Sequence, residues 1–447
     1  ADRGYRIHAY AVGDRERLSD AAKLHLATLE ASGIKPRWYN GPLGGGDLKA
    51  LHRSLLRSTV IIDALLGVGP TTELREPMRT WVGQLDGRHE ALTVAIDIPS
   101  GLCARTGTIL GAAAKADVVV CIAAAKPGLW LGDGPSCHRA VEVVEIGVPR
   151  RWIAEATPAV DLIDDAMLAA LLPPRSALGH KGQFGHLLVV AGSPGRSGAA
   201  LLTSQAALRG GVGACTLATG GEVRARLEGQ VPDLMVEAIR GGAAEAARVL
   251  RLLDGKAAVV AGPGMGTSSS DIDLLVRLCD GAKSPIVLDA DALRILADRA
   301  DLAEPVRGRL VLTPHPGEMA ALLGTTIEEV EVDRVASARV AAERWQAVVI
   351  SKGARTIIAA PDGAIAICPD PQVALAVAGS GDVLSGLVGA LLAQGMAPFA
   401  AAVLAVGVHN RAGAAVAERI GARASNASDL LDEIGGVWMR LDKHAAS

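Results

Sequence analysis

Between positions 376 and 386 the chain reads Ala-Val-Ala-Gly-Ser-Gly-Asp-Val-Leu-Ser-Gly, which sets Gly379, Gly381 and Gly386 around Asp382. Backbone N–H groups freed by glycine geometry, at the positive end of a helix, form an anion site. A carboxylate beside such a site suits a base that takes the proton of a hydroxyl attacking a phosphoryl group. The spacing therefore predicts phosphoryl transfer, with Asp382 as the catalytic base, kept ionised near neutral pH by the N–H donors around it. Val383, Leu384, Leu387, Val388, Leu391 and Leu392 recur at helical spacing and predict a helix over 382–394 whose buried face holds that end still. Ordinary helix capping is the competing reading of Asp382, although Ser380 could fill that role.

Five more loops leave the ends of short β-branched runs, where open α/β sheets bind ligands. They are the small-residue loop at 192–200, Gly-Pro-Gly-Met-Gly-Thr at 262–267, Asp289-Ala290-Asp291, Thr-Pro-His-Pro-Gly-Glu at 313–318, and Lys-Gly-Ala-Arg-Thr at 352–356. Each has a plain alternative: a tight turn at 262–266, a capped loop histidine at His315, helix caps at Asp289 and Asp291, a first-turn acid at Glu318, a solvated lysine at Lys352. Together with Gly381 and Asp382 they predict one site. No G-x-x-x-x-G-K-[ST] string occurs, so a P-loop does not hold the phosphates.

The elements that must position these loops alternate in type. At 447 residues the chain exceeds what one core usually supports, so two domains are expected. Six Trp, three Tyr and two Phe leave the cores to Ala, Val, Leu and Ile, which suits parallel sheets covered by helices. Strands are expected at 6–12, 60–63, 91–96, 118–122 and 140–145, with helices at 17–32, 48–58 and 77–85. After a proline-punctuated stretch come strands at 187–191, 214–218, 257–261, 285–288, 309–312 and 347–351. A hairpin follows at 356–360 and 364–368, and two long helices at 382–394 and 398–419 close the chain. The pattern predicts two α/β domains in series, 1–150 and 179–447, joined by a linker at 151–178.

A net charge of −3 with both signs interspersed favours neither nucleic acid nor a membrane surface, and no run of about 18 apolar residues predicts a membrane span. The six cysteines have no metal-ligand spacing and read as reduced, buried thiols of a cytoplasmic protein. The chain opens at Ala1 in mid-pattern with no signal-like segment, which reads as a processed or cut N-terminus.

The second half resembles the ribokinase-like fold, and within it the NAD(P)H-hydrate dehydratases, over about residues 179 to 435. The resemblance is carried by His-Lys-Gly-Gln-Phe-Gly-His at 180–186, Gly262-Pro263-Gly264, Thr313-Pro314-His315-Pro316-Gly317-Glu318, Lys352-Gly353 and Gly379-Ser380-Gly381-Asp382. Gly-Ser-Gly-Asp alone fits many ribokinase-like kinases; the Thr-Pro-His-Pro-Gly-Glu loop narrows it. The resemblance implies repair of hydrated nicotinamide dinucleotides, NAD(P)HX, with ADP as phosphoryl donor. The ring hydroxyl of the (S)-hydrate is phosphorylated, and loss of phosphate restores NAD(P)H. It implies that Ala199, Gly264, Gly266, His315 and Asp382 contact the hydrate. Lys352, Gly353, Ala354, Arg355, Thr356 and Gly381 would hold the nucleotide, and Glu318 would help hold Mg²⁺.

The first half resembles NAD(P)H-hydrate epimerase through Ile-Ile-Asp-Ala-Leu-Leu-Gly-Val-Gly at 61–69 and Ala-Ile-Asp-Ile-Pro-Ser-Gly-Leu at 95–102. That resemblance implies K⁺ on Asp63 and Ser100, and substrate contacts from Asp97 and from Gly67, Val68, Gly69, Pro70, Thr71, Thr72 and Glu73. The family's early Asn-Asn-Gly-Gly-Asp-Gly loop has no counterpart here. The expectation is an incomplete Rossmann-like domain lacking its first strand and phosphate loop, with epimerase activity in doubt, ahead of a ribokinase-like domain. A homo-oligomer is expected. The rival readings are a vitamin kinase of the same fold, acting on a hydroxymethylpyrimidine or pyridoxal-like alcohol, and a non-catalytic nucleotide-binding scaffold.

Overall fold

A computed structural model describes residues 4–86, 90–155, 160–175, 178–239 and 245–446. The chain divides into two compact units, Ala1–Thr157 and Pro158–Ser447.

In the first unit, Val60–Asp63, Leu92–Ile96, Ala116–Ile122 and His138–Val144 form a four-stranded parallel sheet in that order. Ala95, Val119 and Cys121 point into a core shared with Ile98, Leu102 and Leu129. A separate parallel pair joins Tyr10–Val12 to Arg37–Tyr39. The second of these strands was not expected, because Arg-Trp-Tyr is too short to show a period of two.

Among the described residues the second unit is built on ten strands. Their order is Met235–Ala238, Ala214–Thr219, His186–Val190, Ala258–Ala261, Ile286–Leu288, Leu310–Leu312, Val348–Ser351, Ile357–Ala359, Ile365–Ile367 and Val160–Leu162. Only Ile357–Ala359 runs antiparallel to its neighbours, as the expected hairpin requires. The central strands are buried on both faces and read as continuous Val, Ile and Leu, the mark of a covered parallel sheet.

Three elements depart from the sequence reading. Val160–Leu162 pairs in parallel with Ile365–Ile367, and the helix Asp165–Ala170 follows it, so stretch 151–178 contributes to the second sheet and is not only a linker. The edge strand Met235–Ala238 alternates exposed and half-buried residues around Glu237 and lacks the apolar run that marked its neighbours. A third long helix, Ala427–Ala445, follows the two expected at the end of the chain. It buries Leu430, Leu431, Ile434, Val437 and Leu441 at helical spacing behind an Asn426/Asp429 capping box.

The helix Ser380–Ala393 is the hub of this unit and packs on the sheet and on the helix Ser197–Arg209. Contact is close because Gly386 has no side chain: a Cβ there would run into the Thr203 carbonyl. Gly386→Val is therefore expected to destabilise the second unit by about 1–3 kcal/mol through overpacking, read as a lower denaturation midpoint. The helix Pro398–Ile420 is long and apolar enough to cross a membrane, but 72% of its apolar window is buried inside the protein, as in a core helix.

Candidate active site

In the second unit the loops at the carboxyl ends of adjacent parallel strands are tied to one another. Gly192 N donates to the Pro263 carbonyl (2.9 Å), and Lys352 N donates to Pro314 O (2.8 Å). Ser193 Oγ donates to Gly264 O (2.8 Å). At the turn after Ile286–Leu288, Ala290 holds φ 49°, a strained conformation for a residue with a Cβ. This turn carries Asp289 and Asp291 together at the carboxyl end of the strand. Strain of this kind gathers where function requires it.

Asp289 is 1% exposed and is the centre of a polar network. Its Oδ1 accepts from Lys352 Nζ (2.8 Å), and its Oδ2 accepts from Ser385 Oγ (2.6 Å), which stands on the hub helix. Burial pushes the Asp289 pKa up, but the Lys352 charge and the hydrogen bonds outweigh it, so the carboxyl lies below its ordinary range. Burial likewise opposes the Lys352 charge, yet Asp289 and Glu318 (3.8 Å) hold the lysine pKa above its ordinary value. The pair is ionised on both sides.

The tip of the hub helix lies against this network. Gly379, at φ 91°, is the N-cap and supplies no side chain, so no capping group covers the first N–H groups. Neither Asp382 nor Ser380 acts as the cap; Ser380 Oγ donates instead to Leu375 O (2.7 Å). A Cβ on Gly381 would sit 3.4 Å from Lys352 Nζ and 3.9 Å from Asp289 Oδ2, which places the helix tip beside the ammonium group. Asp382 does not behave as expected from its N–H neighbours. Burial first, then the Asp289 charge, push its pKa up to about 7, with Lys352 only partly offsetting them. A base with a pKa at the working pH is well suited to proton transfer.

His315 and Glu318 are less free than their residue types indicate. They form a reciprocal cap on the helix Pro316–Leu323: His315 Nδ1 accepts from Gly317 N and Glu318 N, while Glu318 Oε2 accepts from His315 N (2.9 Å). Glu318 Oε1 is 3.3 Å from His315 Nε2. Burial raises the Glu318 pKa, and burial together with Lys352 lowers that of His315. Gly266 N donates to Asp291 Oδ2 (2.9 Å), and Ala199 stands in the first turn of Ser197–Arg209 beside Gly264. The expected residues of this half thus fall on loops of one sheet edge.

Sequence reasoning missed three supports. Ser385 carried no signal within a small-residue helix. His409 is 7% exposed, its pKa is pulled down to about 4 by burial, and its ring is paired with the Ser380 backbone, so it holds the helix tip as a neutral group. Arg334 donates to the carbonyls of Ser351, Lys352 and Arg355 (3.3, 3.2 and 3.0 Å) and so supports the 352–356 loop from beneath. Its burial was unreadable, since arginine on a helix is ordinarily solvated.

The first unit has its own cluster. Asp63, at 1% exposure, accepts from Ser100 Oγ (2.6 Å) and Ser100 N (2.7 Å), and Leu66 N donates to Ser100 Oγ (2.9 Å). Burial raises the Asp63 pKa despite these bonds, and none of the described residues forms an ion pair with it. Asp97 has φ 72° and accepts from Ile122 N (3.1 Å) and from Lys126 Nζ. Ser100 Oγ also reaches Leu66 O (3.2 Å), which fastens the loop holding Gly67, Val68 and Gly69 to the strand end that carries Asp97. Thr71, Thr72 and Glu73 are exposed beyond it.

Comparison with known proteins gives the family of both units. Residues 187–435 match the family profile described as NAD(P)H-hydrate dehydratase, and residues 1–128 match that of the YjeF-related protein N-terminus. The chain is 36% identical over 448 residues to the bifunctional NAD(P)H-hydrate repair enzyme Nnr of Moorella thermoacetica, covering 99% of this chain and 84% of that protein. It is 35% identical to the Escherichia coli enzyme of the same name, covering 91% and 76%. Among solved structures, the ADP/ATP-dependent NAD(P)H-hydrate dehydratase from Bacillus subtilis, co-crystallised with ATP/Mg²⁺, superposes with a TM-score of 0.56 at 29% identity. It covers 64% of this chain and all of that one. A ribokinase-like superfamily protein from Enterococcus faecalis has a TM-score of 0.58 at 18% identity, covering 64% and 98%, and shows the fold alone.

Proposed function

The chain belongs to the family of bifunctional NAD(P)H-hydrate repair enzymes, and on that premise we propose that its second unit dehydrates (S)-NAD(P)HX at the expense of ADP. The observation that carries the reading is the uncapped tip of Ser380–Ala393, with Asp382 on it and Lys352 beside it. The terminal phosphate of ADP sits against the tip N–H groups and the lysine, held by Lys352, Gly353, Ala354, Arg355, Thr356 and Gly381. The hydrate lies toward Ala199, Gly264, Gly266 and His315. Asp382 removes the proton of the ring hydroxyl as its oxygen bonds to the β-phosphorus and the bond to AMP breaks. The enamine nitrogen then expels phosphate, a better leaving group than hydroxide, and loss of a ring proton restores the dihydropyridine. Incubating the protein with NADHX and ADP tests this: NADH absorbance recovers only when both are present, and absence of recovery refutes it.

Among the described residues no group of three or more His, Cys, Asp or Glu forms a metal cage. The donors suit a Mg²⁺ carried on the nucleotide phosphates with one or two carboxylates near it. Both Glu318 oxygens face His315, so a metal ion at Glu318 would share them with that cap. A vitamin kinase is not favoured, since the family match spans both units.

For the first unit we propose the epimerase-like site, with residues 1–150 as its span and 179–447 as the dehydratase part. The strand at Val160–Leu162 supports moving that second boundary earlier. Asp97 and residues 67–73 take the substrate. Asp63, a buried carboxylate met only by neutral donors, fits K⁺ with Ser100 Oγ as a second hard oxygen. Potassium at tenfold its dissociation constant should then stabilise this unit by about 1.4 kcal/mol. The thermal midpoint should rise in KCl over choline chloride. Ser100→Ala, which keeps the carboxylate, should shrink that rise; an equal rise in the variant would remove the assignment.

A further inference from the structure

The carboxyl end of the second unit's sheet carries two exposed guanidinium groups that the dehydration chemistry leaves without a task. Asp291 is 5% exposed. Its Oδ2 accepts from Gly266 N and from Arg196 Nη1, both at 2.9 Å, and its Oδ1 lies 3.8 Å from Arg294 Nη1. The arginine side chains themselves are 58% and 63% exposed. One buried carboxylate therefore hydrogen-bonds one cation and draws a second toward it by charge at a solvent-facing rim. Each guanidinium has five donors, and two carboxylate oxygens cannot use them all. The rim keeps an excess positive charge with donors to spare.

The position of this pair is specific. Arg196 directly precedes the 13-residue helix Ser197–Arg209, whose first N–H groups have no side-chain cap. A Cβ on Gly264 would lie 3.0 Å from Arg196 Cβ and 3.2 Å from Ala199 Cβ. Arg294 stands in the first helical turn after Asp291, and its charge is felt at His315 and Glu318. The two arginines thus flank the loops given above to the hydrate, on the side of Asp291 rather than of Lys352. A helix N-terminus joined by one anchored guanidinium fork and a second beside it is suited to a phosphate-bearing ligand.

Resting on the dehydratase reading, we infer that Arg196, held by Asp291, and Arg294 beside it grip the bridging pyrophosphate of the dinucleotide hydrate and so set a preference for dinucleotides over the bare ring. The reactive ring of NADHX carries no charge that the cleft could use for orientation; its nearest strong handle is the pyrophosphate. Holding that group against the rim aligns the ring hydroxyl with the helix tip before phosphoryl transfer.

The test compares kcat/KM for NADHX and for the hydrate of dihydronicotinamide riboside, which has no phosphate, in the full chain with ADP. The ratio of the two should fall about tenfold in Arg196→Ala and in Arg294→Ala and about 100-fold in the double variant, the loss expected for charge-assisted hydrogen bonds. Arg→Lys at both positions should restore part of the ratio, since a point charge replaces a fork. KM for ADP, read in parallel, reports whether the nucleotide side has been disturbed. An unchanged ratio, including equal losses on both substrates, overturns the inference while leaving the dehydratase reading in place. If the unaltered protein converts neither hydrate, the dehydratase reading fails and this inference falls with it.

Discussion

Asp382→Asn should lower kcat for dehydration by about 10²- to 10⁴-fold, the range for loss of a positioned general base. Nucleotide affinity should hold or rise slightly, because a negative charge next to the bound phosphate disappears. The same residue fixes the pH dependence. Burial and Asp289 push the Asp382 pKa up to about 7, and only the ionised form accepts a proton. Activity should therefore fall as pH drops below 7, with kcat/KM for the hydrate following a single ionisation there. The residual rate of Asp382→Asn should show no such limb. A variant that retains both the rate and the acid limb would move the base elsewhere.

Lys352→Met should cost more in stability than any other change in the cleft. It leaves Asp289 buried at 1% exposure without its cation, and breaking such a pair from one side costs about 3–5 kcal/mol. Activity should fall as well, because the terminal phosphate loses its ammonium partner. Lys352 also lowers the Asp382 pKa, so any remaining activity should have its acid limb moved above 7. The double variant Lys352→Met with Asp289→Asn should regain part of the stability and none of the activity. Denaturant titration of the unaltered protein, of Lys352→Met and Asp289→Asn singly, and of the double variant measures this. Additive losses in the double variant would show that the two groups do not depend on each other.

The sequence was most legible where a local rule sufficed. Continuous Val, Ile and Leu runs marked the central strands, the 3.6-residue recurrence of Val383 to Leu392 marked the hub helix, and glycine with strand-end loops marked the cleft. It was least legible where long-range packing decides. Arg334 and His409 are ordinary surface residue types that the fold buries behind the 352–356 loop and the helix tip. Val160–Leu162 becomes a strand only because Ile365–Ile367 offers it an edge. Asp289 and Asp291 were visible as possible caps, but their division of labour depends on Lys352, 63 residues from Asp289, and on Arg196, 95 residues from Asp291. The charge state of Asp382 was misjudged for the same reason: its nearest N–H groups are local, whereas the burial and the Asp289 carboxylate that raise its pKa are not.

The claim at the centre of this account is that the ring hydroxyl itself receives the phosphoryl group at the Asp382 helix tip. NADHX carrying ¹⁸O in that hydroxyl, turned over with unlabelled ADP, follows the oxygen directly. One ¹⁸O is expected in the inorganic phosphate released with each NADH restored, and AMP is expected in equal amount. Label found in water, with unlabelled phosphate, would mean that the hydroxyl leaves without being phosphorylated.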